Sequence, residues 1–243
     1  EDNSGQKRFP KKEGGMSSKS WVGGTSLGNT GIWGMDFESW DETLEAKKSW
    51  FMFDEEIVAL GSDITSQKPN VDVETTVENR KLTNNGQDII SVGNYEKTLK
   101  VTNEEKLDDA KWAHLESSIE DASIGYYFPK SQSINIKKEN RQGRYKDINY
   151  SSLDELISSD YFTLWIDHGT QPDEETYEYV ILPNKTIEET KNYSLNPDVE
   201  ILANNNKVQA VKNNRLNIVG ANFWTDTVQS VDKITSNKKS AVM

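Results

Sequence analysis

The chain has only two imidazole side chains, His114 and His168, and they lie in different segments. A catalytic zinc site uses three protein ligands, and neither histidine belongs to an HxxxH or HExxH pair. An imidazole can serve in acid–base catalysis, but an isolated histidine beside aromatic residues more often makes structural hydrogen bonds. The sequence therefore predicts no metal and favours a structural role for both histidines.

Carboxylates are the other groups with catalytic potential, and Asp and Glu together number 40. Two acids that face one sugar ring at about 5–10 Å can hydrolyse a glycosidic bond. Glu74 and Glu78 are four residues apart in a strand-like segment, which predicts that they share one face. Charges on a strand usually face solvent, which argues against a catalytic pair. A glycosidase that uses paired acids of this chain nevertheless stays one open alternative. The acidic run at 173–175 lacks the spacing of a calcium loop.

Several classes of function are excluded by composition and motifs. The chain has no cysteine, which excludes disulfide scaffolds, zinc fingers and cysteine nucleophiles. It also lacks a GxSxG nucleophile elbow and a phosphate-binding loop. The net charge of -12 would repel nucleic acid. No run approaches the roughly 20 apolar residues of a membrane-spanning helix.

These side chains must be positioned by strands, because short alternating segments dominate the sequence. The glycine-, serine- and lysine-rich residues 1–20 read as a flexible arm. Segments 49–53 and 57–60 are apolar on both faces and predict a hairpin that is covered on both sides. A strand at 124–128 is expected to end at Pro129. Further strands are expected at 73–82, before an Asn-Asn-Gly turn at 84–86, at 161–167 and 176–182, and in a meander over 195–235.

Helix signals are few. Ser152 and Glu155, and likewise Thr186 and Glu189, match the capping box that opens a helix. Strands and helices do not alternate at the spacing of a parallel sheet. The expected class is all-β and antiparallel, with a few short helices and a dozen or more strands, too many for one small sandwich.

Seven motifs in one order resemble a known family. They are KKSWFMFDEEIVALGSDI, ETTVENRKL, WAHLE with IGYYFP, YFTLWIDHG, TYEYVILP, NPDVEILANNNKVQAV and NFWTD. Together they resemble polysaccharide lyase family 8, which includes hyaluronate, chondroitin AC and xanthan lyases. The resemblance is strongest to the hyaluronate lyases of Gram-positive bacteria and covers residues 21–243.

The resemblance implies an architecture. Family members carry an N-terminal α/α toroid, a large antiparallel β super-sandwich of the galactose mutarotase-like type, and a smaller C-terminal β-sandwich. Residues 21–243 are expected to form the central super-sandwich and to end near the junction with the C-terminal sandwich. The resemblance also implies a secreted, extracellular enzyme. Because the chain begins with Glu1 and not with Met, we expect a piece of a longer protein.

The resemblance also implies a chemistry, which is β-elimination at a uronic acid of hyaluronan or a related glycosaminoglycan. The asparagine, histidine, tyrosine and arginine that catalyse it belong to the helical domain. We therefore expect no catalytic residue in this chain, no activity of the chain alone and no cofactor. Asn79 and Arg80 are the candidates for the substrate cleft or the domain interface, because a guanidinium fork suits a carboxylate. A stand-alone carbohydrate-binding or adhesin module is the alternative.

Overall fold

The computed structural model describes residues 17–39, 41–83 and 88–243. Within these ranges the chain is built almost entirely from β-strands, with one α-helix, α1 (Ile187–Leu195), and a single 3-10 turn at Tyr145–Asp147. The strands are β1 (Val22–Leu27), β2 (Thr30–Glu38), β3 (Leu44–Met52), β4 (Ile57–Ser66), β5 (Asp72–Lys81), β6 (Ile89–Gly93), β7 (Thr98–Val101), β8 (Glu104–Glu116), β9 (Ile124–Gly143), β10 (Ile157–Thr170), β11 (Glu175–Pro183), β12 (Val199–Asn204), β13 (Val208–Asn213), β14 (Ile218–Phe223), β15 (Gln229–Val231), β16 (Ile234–Ser236) and β17 (Ser240–Val242).

The strands form one large and one smaller antiparallel sheet, with a short β15–β16 hairpin beside them. The central sheet has the order β1-β2-β3-β4-β11-β9-β8-β6-β7. Strand β9 is long enough to serve two neighbours: its first part pairs with β11 and its second part with β10. Strand β5 then pairs with β10 and completes a β5–β10 layer. The C-terminal sheet has the order β12-β13-β14-β17.

Both faces of the central sheet are covered, as the apolar pattern of the 49–60 hairpin predicts. Ala59 packs on one face, in a cluster that includes Phe162 of the β5–β10 layer. Its neighbours Val58 and Leu60 pack on the other face, in a cluster that includes Val211 of the C-terminal sheet. Successive residues of a strand point to opposite faces, so β4 is apolar at every one of these positions. The all-β, antiparallel, layered fold class is confirmed.

Strand β9 does not end at Pro129, so that prediction was wrong. The ladder between β8 and β9 is irregular there: Ala110 pairs with Gln132, while Trp112 pairs with Tyr127. A proline inside a sheet is tolerated at such a bulge, because its missing N–H interrupts no ladder bond.

One of the two predicted helices is present. Thr186 accepts a hydrogen bond from the Glu189 amide, and Glu189 in turn accepts from the Thr186 amide, which is the predicted capping box. The segment 152–155 is not helical, so the second prediction was wrong. Asp154, which lies between the two predicted capping residues, forms ion pairs with Arg144 and Lys146.

Other predictions have mixed outcomes. Strands β12, β13 and β14 follow one another in antiparallel order, which confirms the meander at the C-terminal end. Most of the arm predicted at 1–20, and the turn at 84–86, lie outside the described residues. In the part of the chain that the structure describes, no helix is both long and apolar enough to cross a membrane.

Candidate functional site

A β-bulge in the edge strand β5 sets the orientation of the candidate residues. Leu164 pairs with Glu78, but the next residue of β10 pairs with Thr76, so one extra residue of β5 is inserted. Beyond the inserted residue, each side chain of β5 therefore lies on the face opposite to the one that regular alternation predicts. Val77 is buried, and Glu78 also reaches a buried partner, whereas Glu74 is exposed. Glu74 and Glu78 therefore do not share a face, and the prediction of a shared face was wrong.

On the inner face of β5, Glu78 links a buried tyrosine to Arg80. The Tyr126 hydroxyl donates a 2.6 Å hydrogen bond to Glu78 Oε2, and Arg80 Nη2 lies 3.2 Å from the same oxygen. Burial raises the pKa of Tyr126 far above its usual value, and the Glu78 carboxylate adds to the effect. The hydroxyl consequently stays protonated and keeps donating to Glu78.

Arg80 is positioned for binding an acid. Its side chain is 37% exposed, and within the described ranges only Glu78 forms an ion pair with it. Glu78 thus fixes one end of the guanidinium, while more than a third of the side chain is open to solvent. A planar fork of this kind can form two parallel hydrogen bonds with a carboxylate.

Asn79 lies on the opposite, outer face of the β5–β10 layer. Its Oδ1 accepts a 3.1 Å hydrogen bond from Arg141 Nη1. Arg141 also donates to Thr163 Oγ1 at 2.7 Å, and its guanidinium lies 4.7 Å from the centre of the Tyr161 ring. The structure therefore does not bring Asn79 and Arg80 together. Arg141 was missed because the predicted strand ended at Pro129; the alternation in QSINIKKENR was the signal that could have found it.

Both histidines are held by hydrogen bonds within the fold. His114 is buried, and its Nε2 lies 2.8 Å from the Lys185 carbonyl oxygen. His168 Nε2 lies 2.8 Å from Thr75 Oγ1. Burial lowers the pKa of each imidazole, so both favour the neutral form. Across the described ranges, no cluster of three or more His, Cys, Asp or Glu residues could hold a metal.

The turn between β9 and β10 exposes an unusual number of apolar side chains. We call residues 144–156 the hairpin tip. Within it Tyr150 is 92% exposed, Leu153 79% and Ile148 67%. Apolar patches of this kind commonly mark an interaction surface. Arg144 and Lys146 both pair with Asp154, at 2.7 and 2.8 Å, which constrains the shape of the tip.

Comparison with known families agrees with this layered fold. A sequence model described as the super-sandwich domain of polysaccharide lyase family 8 matches residues 2–194. A second, for the C-terminal β-sandwich domain of the same family, matches residues 200–243. The chain therefore belongs to polysaccharide lyase family 8. The two matches divide it between α1 and β12, where the C-terminal sheet begins, whereas the motifs predicted one central domain over 21–243.

Individual relatives act on different polysaccharides. The chain is 44% identical to a xanthan lyase of Bacillus sp. (strain GL1) over 219 residues, 89% of this chain and 23% of the relative. It is 34% identical to the hyaluronate lyase HylB of Enterococcus faecalis over 240 residues, 93% of this chain and 23% of the relative. The structure of Paenibacillus xanthan lyase superposes with a TM-score of 0.88 at 40% identity, covering 93% of this chain and 22% of that one. The chain thus spans less than a quarter of each of these proteins.

Proposed function

We propose that this chain is the β part of an extracellular lyase that cleaves an acidic polysaccharide by β-elimination, and that Arg80 binds an acid group of the substrate. Family membership supports the reaction class. The observation that carries the role of Arg80 is its geometry: a half-exposed guanidinium held at one end by Glu78.

In this reaction we propose that the chain binds and orients the substrate and does not transfer protons. A base takes the proton next to the uronic carboxylate, the released electron pair forms a carbon–carbon double bond, and the glycosidic C–O bond breaks as the leaving oxygen gains a proton. We place the base and the acid in a helical domain outside this chain. Arg80 would attract and orient an acid group of the polymer, and Glu78 would position Arg80.

Two polysaccharides are candidates for the substrate. Hyaluronan is the glycan that the motifs suggest. Xanthan is favoured by the higher identity to a xanthan lyase, 44% against 34% for the hyaluronate lyase. Both polymers carry acid groups that could pair with a guanidinium, so the geometry of Arg80 fits either one. We place xanthan first.

The exposed apolar side chains of the hairpin tip are evidence for contact with another domain. Exposed apolar side chains such as Tyr150 and Leu153 are costly in water and are stabilised when another surface covers them. We assign them to the contact with the helical domain of the same enzyme.

The test of Arg80 is kinetic, in the complete enzyme. Because a charge-assisted hydrogen bond contributes about 1.5–3 kcal/mol, Arg80→Ala should raise KM roughly tenfold or more, and Arg80→Lys should restore only part of the loss. Lys81→Ala is the matched control, because Lys81 is an exposed cation on the same strand that faces away from Arg80. Unchanged kinetics in Arg80→Ala would contradict the assignment. Binding of glycan without turnover in the complete protein would support a carbohydrate-binding module instead.

A further inference from the structure

A pocket of about 430 Å³ lies between the central sheet and β12. Its polar lining comes from Lys130, Glu178 and Asn204, and its apolar lining includes Tyr127, Ile201 and Leu202. The register of β12 shifts between Ile201 and Ala203, and this irregularity brings the neighbouring side chains Ile201 and Leu202 to one pocket. The volume is in the range of small-molecule sites.

The pocket is separate from the Arg80 site. Tyr126, which donates to Glu78, belongs to the apolar cluster on one face of the central sheet. Tyr127, the next residue, belongs to the cluster on the other face. Because successive residues of β9 point in opposite directions, the two sites lie on opposite faces of the same sheet.

Glu178 gives the pocket its polar character. The residue is only 3% exposed, and its Oε1 lies 2.9 Å from Lys130 Nζ and 3.2 Å from Asn204 Nδ2. Its second oxygen, Oε2, accepts no hydrogen bond from any described residue. Among the described residues, the buried polar atoms without a partner are those of Tyr193, Asn222 and Trp224, so Oε2 of Glu178 is open to the pocket and can accept a hydrogen bond from a ligand. Lys130 adds further donors, because its side chain is 66% exposed.

We infer that this pocket binds a neutral sugar ring. Vicinal hydroxyls can donate to Oε2 of Glu178 and accept from Lys130, while the apolar face of a pyranose contacts Tyr127 and Ile201. Asn204 holds Glu178 in place, because its Nδ2 donates to Glu178 and to the Tyr177 carbonyl oxygen. An acidic sugar fits less well, because its carboxylate would lie beside that of Glu178. The inference does not depend on the proposed function, since it concerns another face and another readout.

The test is saturation-transfer NMR on the 243-residue chain, with cellobiose as the neutral probe and glucuronate as the acidic one. We expect cellobiose to bind with a Kd on the order of 1 mM and glucuronate to bind at least several-fold more weakly. Lys130→Met should weaken cellobiose binding several-fold; because it also removes the ion-pair partner of Glu178, circular dichroism must show that the variant is folded before its binding is compared. Glu178→Gln should weaken it further.

Glu200→Gln is the matched control, because Glu200 is an exposed acid on β12 outside the pocket lining. It should leave cellobiose binding unchanged. The inference is overturned if cellobiose shows no transfer, if glucuronate binds equally well, or if Lys130→Met binds cellobiose like the unsubstituted chain.

Discussion

Glu56 is a buried carboxylate at the contact between the central sheet and the C-terminal sheet. It is 2% exposed, and its Oε1 accepts a hydrogen bond from Asn213 Nδ2 of β13. Burial, reinforced by the nearby Asp198 carboxylate, raises the pKa of Glu56 to about 7, although Arg215 and Asn213 oppose the shift. The folded chain therefore holds this proton more tightly than the unfolded chain does.

The raised pKa of Glu56 predicts a pH-dependent stability. Its contribution is complete below the unfolded pKa near 4.5 and is lost as the pH rises through about 7. Glu56→Gln keeps a neutral side chain at every pH, so it should raise the free energy of unfolding at pH 8 by roughly 1–2 kcal/mol, after allowance for screening. It should have little effect at pH 5. Urea unfolding at both pH values measures this.

Glu55→Gln is the control for this experiment. Glu55 is the adjacent acid, but the ammonium of Lys185 lowers its pKa. This variant should not gain stability at pH 8. Equal responses of the two variants would contradict the assignment to Glu56.

The hydroxyl of Tyr126 gives a second prediction at the scale of the residue. Tyr126→Phe removes the donor to the carboxylate of Glu78, and a lost hydrogen bond to a charged group costs about 1.5–3 kcal/mol. Tyr127→Phe is the comparison, because that hydroxyl makes no hydrogen bond to a described side chain or backbone group. Thermal unfolding should show the larger loss in Tyr126→Phe, and the reverse order would contradict the geometry.

The sequence identified Arg80 as a candidate but could not place it. Regular alternation puts Glu74 and Glu78 on one face, and only the bulge opposite Leu164 moves Glu78 to the inner face. A bulge depends on the register with β10, whose residue Leu164 lies 86 residues beyond its partner Glu78 along the chain. Local pattern therefore predicts the strand but not the direction of each side chain after an irregularity.

At the scale of the elements, the pairing of β4 with β11 depends on the close approach of the Tyr177 ring to the backbone of Gly61. Gly61 pairs with Tyr177, and a Cβ at Gly61 would overlap the buried ring of Tyr177. Gly61→Ala should therefore destabilise the fold by about 1–3 kcal/mol, the usual cost of overpacking. Gly143→Ala in β9 is the control, because a Cβ there meets nothing within 4 Å. Similar unfolding midpoints for both variants would contradict this account.

Helix α1 depends on its N-terminal cap. Thr186→Ala removes the hydroxyl that accepts from the Glu189 amide and should cost about 1 kcal/mol. Thr186→Ser keeps that acceptor and should be nearly neutral. Chemical denaturation distinguishes the two, and equal stability of both variants would argue against a contribution from the cap.

Elements with strong local signals could be predicted and the others could not. The capping box at Thr186 is complete within four residues, so the sequence shows it. The same pattern at 152–155 does not open a helix, because the neighbouring apolar residues Leu153 and Leu156 are exposed, so packing does not support a helix there. Pro129 misled the prediction because its tolerance depends on the bulge in β9 itself, where five steps along β9 oppose two along β8.

At the scale of the molecule, buried polar side chains join the C-terminal sheet to the central sheet. Gln209 donates to Ser62 Oγ and to the Lys47 carbonyl oxygen, and Asn222 donates to Ser49 Oγ. These partners are separated by about 150 residues or more in sequence, so no local pattern could predict them. The strand patterns in the sequence predicted the layered fold class, whereas only the structure shows this contact between the two sheets.

We propose that this chain completes a lyase whose catalytic residues lie in another domain. The most direct measurement is the ultraviolet absorbance of the unsaturated product, with xanthan and hyaluronan as substrates. It is made with the chain alone and with the chain joined to its helical domain. We predict product only from the joined protein, on at least one of the two polymers. Product from the chain alone, or none from the joined protein on either polymer, would contradict the account.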